Sequence, residues 1–372
     1  MADLADRALL PAGLRDLLPP YAAHEAETAA RFMRYFAGFG YEPVSPPLVE
    51  FEESLLSGNG AAMAKHTFRV MDPVTQRMMG VRADMTLQVA RIATTRLANA
   101  ERPLRLSYAG QVLRVKGSQL RPERQFGQAG IELIGAPGAA ADAEVIAIAG
   151  QALTELGVTQ ASIDLTLPTL VPLILGDAPV HPELRNALDH KDVATVTAIG
   201  GAAAPVLCAL IAAAGPAIRA SAKLAALVLP AAAAAERDRL FEVISLVRDS
   251  APDLTLTVDP VENRGYEYHS GIGFTIFARN VSGELGRGGR YDGGTSTGAT
   301  LFMDTVLEAV PRPAPARRVF LPVGTPLAAG RKLRQEGWMT LAGLAVALDA
   351  KVEARRLGCD HVLIDGHVVS AN

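Results

Sequence analysis

One stretch constrains the fold more than any other: LRLSYAGQVLRVKGSQLRPERQFGQAGIELIG, from Leu104 to Gly135. It opens with alternating apolar residues, Leu104, Leu106 and Tyr108. A polar, glycine-containing loop follows, carrying Arg114, Lys116, Arg121 and Arg124, and a second apolar run closes at Gly135. The pattern predicts strand, long loop, strand. Gln128 and Glu132 lie on the second flank, so an antiparallel pair brings a cationic loop and an acid into one neighbourhood. Such a hairpin suits a small anionic or zwitterionic ligand. A solvated basic hairpin with no ligand satisfies the pattern equally well.

The flanking segments fill in the architecture. Pro19-Pro20 precede a run in which Ala29, Phe32, Met33 and Phe36 fall at helical spacing, with Gly38 and Gly40 at its end. Pro43, Pro46 and Pro47 then exclude a central strand, so Gly40 to Glu50 reads as an edge or interface strand. Phe68 to Val81 predicts a hairpin turning at Asp72-Pro73, followed by a helix through LQVARIATTRL. Ala139 to Leu156 predicts a helix stopped at Gly157, and Ile163 to Leu167 a strand. Residues from about Leu170 to Asp249 are alanine-rich and read as a helical insertion. Pro205, Gly215-Pro216, Arg219, Lys223 and Pro230 cut its most apolar run into pieces too short for a bilayer. Strand patterning returns from Leu254 to Ala278 and in ELGRGGRYDGG, and STGATLFMDTVLEAV reads as a closing helix. A proline-rich linker, Pro311 to Pro315, leads to a tail that reads as strand-helix-helix-strand.

Composition narrows the function classes. The net charge of −3 is no footprint of a nucleic-acid binder. Two cysteines, Cys208 and Cys359, lie far apart without metal spacing, which argues against a disulfide framework or zinc site and for a reducing cytoplasm. The N-terminal residues carry acids early and no apolar core of a signal peptide. At 372 residues, two or three structural units are expected.

Arg114, followed by Arg124-Gln125-Phe126-x-Gln128-x-x-x-Glu132, resembles the second signature motif of class II aminoacyl-tRNA synthetases, histidyl branch. Lys116 stands where that family has the glutamate that helps to hold adenine. Gly40 to Glu50 is similar to the first motif, which builds the homodimer interface in that family. Arg82-Ala83-Asp84-Met85-Thr86 stands at R-P-E-G-T. RGYEYHSGIGF resembles the histidine-specific R-G-L-D-Y-Y, with Glu267 for its Asp, Tyr268 for the first Tyr and His269 for the second. The resemblance implies an α+β core at 1–310, a class II synthetase-like antiparallel sheet flanked by helices, with the insertion at about 170–250. It also implies a small C-terminal α/β domain at 316–372, like a cut-down anticodon-reading domain.

A free amino acid needs acceptors for its ammonium and donors for its carboxylate. Asp84, Thr86 and Gln128 supply the first; Arg264, with Arg114 as a second candidate, supplies the other. The ring of a histidine would meet Glu132 with Tyr268 or His269. Structural roles stay open for these residues: Asp84 as a helix cap, Glu132 as a paired strand carboxylate, His269 as a core residue. The third motif of the family ends G-x-G-x-E-R and grips ATP. Here Phe302 takes a glycine position and Thr305 the arginine position. Losing one preorganised contact of this kind costs about 10²–10³ in rate. The amino-acid half of the site is retained and the ATP half dismantled.

That combination resembles the family of ATP phosphoribosyltransferase regulatory subunits, the histidyl-tRNA-synthetase-like proteins of histidine biosynthesis. The resemblance implies a non-catalytic cytoplasmic chain without cofactor or metal, a homodimer within a hetero-oligomer. Its expected partners are a short catalytic subunit and L-histidine as effector, with neither tRNA nor membrane. A histidyl-tRNA synthetase, or a class II-like enzyme activating another small amino acid, are the competing readings.

Overall fold

The computed structural model describes residues 9–56, 63–117, 122–176, 180–263 and 269–372. It divides into two units, one ending at Pro311 and the other Arg312–Asn372.

The first unit starts with helix α1 (Tyr21–Ala37), which buries Phe32 and Phe36 at i and i+4, the spacing that stacks side chains on one helical face. Two short strands follow, β1 (Glu42–Pro43) and β2 (Val49–Phe51), then helix α2 (Glu52–Leu55). The expected hairpin is β3 (Phe68–Met71) and β4 (Met78–Val81); with β2 it forms a small three-stranded sheet. Helix α3 (Thr86–Thr95) comes next. The organising stretch is then a long antiparallel pair, β5 (Leu104–Leu113) and β6 (Gln125–Ile134), in continuous register from Leu104↔Ile134 to Leu113↔Gln125.

Helix α4 (Ala139–Glu155) and strand β7 (Ala161–Thr166) lead into the alanine-rich region. That region folds as α5 (Leu170–Leu175), α6 (Pro182–Asp189), α7 (Val193–Ile199), α8 (Ala204–Ala213), a two-residue strand β8 (Gly215–Pro216), α9 (Ala217–Ala225) and α10 (Ala231–Ser250). Leu188, Val196, Leu207, Leu224 and Leu240 from these helices join the main core, so the apolar run packs on the protein itself. Among the described residues no helix is long and apolar enough to cross a membrane. Strands β9 (Thr255–Asp259), β10 (Gly273–Ala278), β11 (Gly286–Tyr291) and β12 (Ser296–Phe302) complete the main sheet, and helix α11 (Met303–Ala309) ends the unit.

Among the described residues the main sheet has nine strands in the order β1-β5-β6-β12-β11-β10-β7-β9-β8. β1–β5 and β7–β9 are parallel; the other pairs are antiparallel. One face carries Ala129, Ile131 and Leu133 of β6 against α1, α4 and α11, and this is the larger core. The other carries Leu106, Tyr108, Phe126 and Phe302 against Met85, Val89 and Ala93 of the α3 segment. β1 lies at an edge, as suits a strand that contains Pro43.

Two expectations need correction. Ser296–Phe302 is a strand, and only Met303–Ala309 is helical. β12 lies between β6 and β11 with every residue buried, so it shows no apolar–polar alternation by which a strand could be told from a helix. The second unit is also not strand-helix-helix-strand. It runs β13 (Arg318–Leu321), α12 (Leu327–Gln335), β14 (Met339–Ala342), α13 (Ala350–Arg356), β15 (His361–Ile364), β16 (His367–Ser370), with sheet order β14-β13-β15-β16. The helix-compatible stretch Ala342 to Gly358 has only its last part helical; Asp349 starts that helix by accepting from the backbone N–H groups of Lys351 and Val352.

Candidate functional site

The site lies on the α3 face of the main sheet, and register decides which residues share it. Side chains alternate along a strand, so positions 128, 130 and 132 of β6 point to one face. Gln128 lies opposite Phe302, Gly130 opposite Thr300 and Glu132 opposite Gly298. One strand further, Thr300 meets Arg287 and Gly298 meets Gly289. On the other side Gly130 meets Tyr108. Three adjacent rows therefore lie at the middle of the sheet, two of them running across all four strands.

Glycine opens this floor. A side chain at Gly298 would collide with the Glu132 carboxylate, and one at Gly289 with the His269 ring. The space they leave is a small cleft lined by Asp84, Thr86, Glu132, His269, Arg287, Tyr291, Thr300 and Phe302.

Asp84 is delivered from the far side of the cleft. Arg82, buried, donates to the carbonyl oxygens of Gln111 (2.7 Å) and Pro46 (3.0 Å), locking its segment against β5. Asp84 then accepts from the Thr86 N–H (2.9 Å) and from Gln128 Nε2 (3.1 Å). Gln128 in turn accepts the Met85 N–H at 3.1 Å. Asp84 thus anchors the start of α3 and faces the cleft at once.

Glu132 is fully buried. Tyr291 donates to its Oε2 (2.8 Å) and Tyr108 to its Oε1 (3.2 Å). The Tyr108 hydroxyl also shares hydrogen bonds with Thr300 Oγ1 (2.7 Å) and Thr86 Oγ1 (3.1 Å). Among the described residues no cation pairs with Glu132. Burial pushes its carboxyl up to about 8, against the pull of the tyrosine and threonine hydroxyls. His269 is driven the other way, to about 3, by burial and then by the charge of Arg287. The cleft thus holds a neutral imidazole and a carboxyl poised near neutrality.

At its other end the cleft is shut. The Phe302 ring is 1% exposed and stands edge-on to Phe126 at 6.1 Å between centroids. Arg287 lies over Phe302 (5.5 Å) and Arg114 over Phe126 (5.0 Å). Fully burying a phenylalanine contributes about 1.5–3 kcal/mol, so this plug does not swing aside cheaply. Thr305 turns its hydroxyl to the backbone, donating to the Glu284 carbonyl at 2.6 Å.

Of the eight residues singled out from sequence, Asp84, Thr86, Glu132 and His269 line one cleft, and Gln128 supports it through Asp84. Arg114 does not line it: its Nε donates to the Ala83 carbonyl (3.3 Å), and its guanidinium lies over Phe126. Arg264 and Tyr268 fall outside the described residues. Sequence reasoning missed Arg287, Tyr291, Tyr108 and Thr300. The signal was present in G-R-G-G-R-Y, where period-two alternation puts Arg287, Gly289 and Tyr291 on one face.

The fold and this cleft define a class II aminoacyl-tRNA synthetase-like protein of the histidyl type. The family model for histidyl-tRNA synthetase matches residues 13–299. An ATP phosphoribosyltransferase regulatory subunit from Paramagnetospirillum magneticum is 63% identical over 370 residues, covering 98% of each chain. The protein of the same name from Rhodospirillum centenum is 58% identical over 97% of this chain and 96% of its own. Among solved structures, an ATP phosphoribosyltransferase regulatory subunit/histidyl-tRNA synthetase from Bacillus halodurans shares the fold. Its TM-score is 0.80 at 22% identity, over 94% of this chain and 96% of that one. The chain belongs to the family of ATP phosphoribosyltransferase regulatory subunits.

Proposed function

We propose that this chain is the non-catalytic regulatory subunit of an ATP phosphoribosyltransferase in histidine biosynthesis, working in the cytoplasm. It supports a short catalytic subunit and transmits feedback inhibition by L-histidine bound in the cleft. The observation that carries the reading is the contrast within one site. Acceptors for an ammonium and a ring, Asp84, Thr86 and Glu132, are retained and preorganised, while the adjoining space is plugged by Phe302. A histidine placed here would set its ammonium on Asp84 and Thr86 and its ring on Glu132. Each charge-assisted hydrogen bond of this kind contributes about 1.5–3 kcal/mol.

Such a subunit acts only through its partner. Coupling between effector and catalytic chain is reciprocal and typically about 1–3 kcal/mol, so histidine must favour a state in which the bound catalytic chain is less active. The Gly40–Glu50 segment, with its proline-broken edge strand, is the proposed homodimer contact, covering what would otherwise be an open sheet edge.

The test has two arms. The purified chain should give no histidine-dependent ATP–pyrophosphate exchange. Mixed with a short ATP phosphoribosyltransferase chain, it should raise phosphoribosyl-ATP formation, and histidine should then inhibit. Exchange within tenfold of a true synthetase, or a catalytic chain equally active and equally histidine-sensitive alone, would refute the proposal.

A further inference from the structure

Among the described residues that line the cleft, Arg287 is the one cationic side chain, and neither the recognised motifs nor the ammonium and ring contacts use it. Beside His269 and Phe302, the side chains on the wall are carboxyls and hydroxyls: Asp84, Thr86, Glu132, Tyr291 and Thr300. Arg287 brings the opposite chemistry. It sits on the cleft-facing side of β11, in the same row as Thr300, Gly130 and Tyr108. Glu132 is two strands away and one row along, a Cα separation of roughly 12 Å from sheet spacings of ~4.8 Å across and ~3.3 Å per residue. Side chains from both positions line the same small cleft, so a carboxyl and a guanidinium face one space.

The guanidinium is held in place. Glu284 pairs with it at 3.2 Å, and it lies over the Phe302 ring, 5.5 Å from the ring centroid. The pair is about a quarter exposed on each side, a setting in which solvent screening leaves an ion pair weak. An incoming anion can therefore share the guanidinium with Glu284. Arg114, the cation over the neighbouring ring, lies at Phe126 and does not line the cleft.

We infer that Arg287 is a specificity-determining residue that clamps the free α-carboxylate of the bound amino acid. It does so against the Phe302 plug, so that esters, amides and alcohols of the same amino acid are rejected. This rests on the proposed histidine site and assigns its selectivity. The chemistry follows from the guanidinium fork, which matches a carboxylate bidentately and has no such match in a hydroxyl or an ester. The buried ring of Phe302 stands beside that carboxylate position, where the extra atoms of an ester or an adenylate would have to go.

The experiment is calorimetric titration of the full chain with L-histidine, histidine methyl ester and histidinol, which keeps ring and ammonium but lacks the carboxylate. Wild type should bind histidine about 10–100-fold more tightly than either analogue. Arg287→Ala should lower histidine affinity to the level of histidinol and leave histidinol within about twofold, since a lost charged contact is the only difference. Should that variant not fold, Arg287→Lys reads the same contrast, with histidine about tenfold weaker and histidinol unchanged, because the charge stays and the fork is lost. Equal weakening of histidine and histidinol, or no change in either, overturns the role of Arg287. A wild-type chain that binds neither ligand overturns the histidine site itself and the inference with it.

Discussion

Two buried carboxylates, Asp142 and Glu132, lie on opposite faces of the same sheet and are treated in opposite ways. Asp142 is 2% exposed and meets Arg290, itself 1% exposed. Arg290 Nε stands 3.0 Å from both carboxylate oxygens, and its remaining N–H groups go to the carbonyls of Ala136, Gly294 and Gly138 at 2.9–3.0 Å. Every donor of that guanidinium has a protein partner, and the pair is structural. Glu132 is equally buried but meets hydroxyls, those of Tyr291, Tyr108 and Thr86, in place of a cation, and it lines the cleft. A carboxyl kept from a counter-ion inside the protein raises its own pKa and keeps its hydrogen-bonding capacity for whatever enters. One acid is tied into the fold by an arginine, and the other lines the cleft.

The largest effect should come from breaking the structural pair. Arg290→Met removes the buried cation from Asp142 and leaves Arg239, 3.6 Å away, as the nearest described positive charge. It should cost about 3–5 kcal/mol of stability, read from the denaturant midpoint. The preference for histidine over histidinol should survive in whatever fraction stays folded.

Glu132→Gln should do the reverse. Histidine affinity should fall by about 1.5–3 kcal/mol in calorimetry, because a neutral amide replaces a group able to carry charge. Stability should change in a pH-dependent way. The folded Glu132 holds its proton up to about 8, whereas its ordinary value is 4.5. The native state thus binds more protons across that interval, and stability falls as pH rises through it. His269, lowered from 6.5 to about 3, gives the opposite slope, but only below 6.5. Between pH 6.5 and 8, then, wild type should lose stability with rising pH, and Glu132→Gln should flatten that slope. A variant as steep as wild type would mean that Glu132 is already ionised.

The smallest effect belongs to Thr305. Its hydroxyl bonds the Glu284 carbonyl, so Thr305→Val should cost about 0.5–1.5 kcal/mol of stability and leave histidine affinity unchanged. A change in affinity as large as that of Glu132→Gln would mean that the closed end of the cleft still takes part in binding.

Much of this was legible in the chain itself, for definable reasons. The β5–β6 pair announces itself because its alternation is local, and Asp84, Gln128 and Glu132 follow from motif spacing. The other half of the floor was hidden. β12 is buried on both faces and so lacks the period that distinguishes a strand. Tyr108, Thr300 and Arg287 become neighbours only through a register between segments far apart in sequence. Within the C-terminal unit, β14 was missed because a short strand ahead of an apolar loop, with exposed Leu344, Val346 and Leu348, mimics helical composition.

The central claim is that the retained acid in the cleft serves a regulatory signal. Its most direct test is a histidine inhibition curve for phosphoribosyl-ATP formation, with the short catalytic chain saturated by wild type or by Glu132→Gln. Both complexes should show the same activity without histidine, and the variant should need about 10–100-fold more histidine for half-inhibition. Superimposable curves would contradict the claim and place the effector elsewhere.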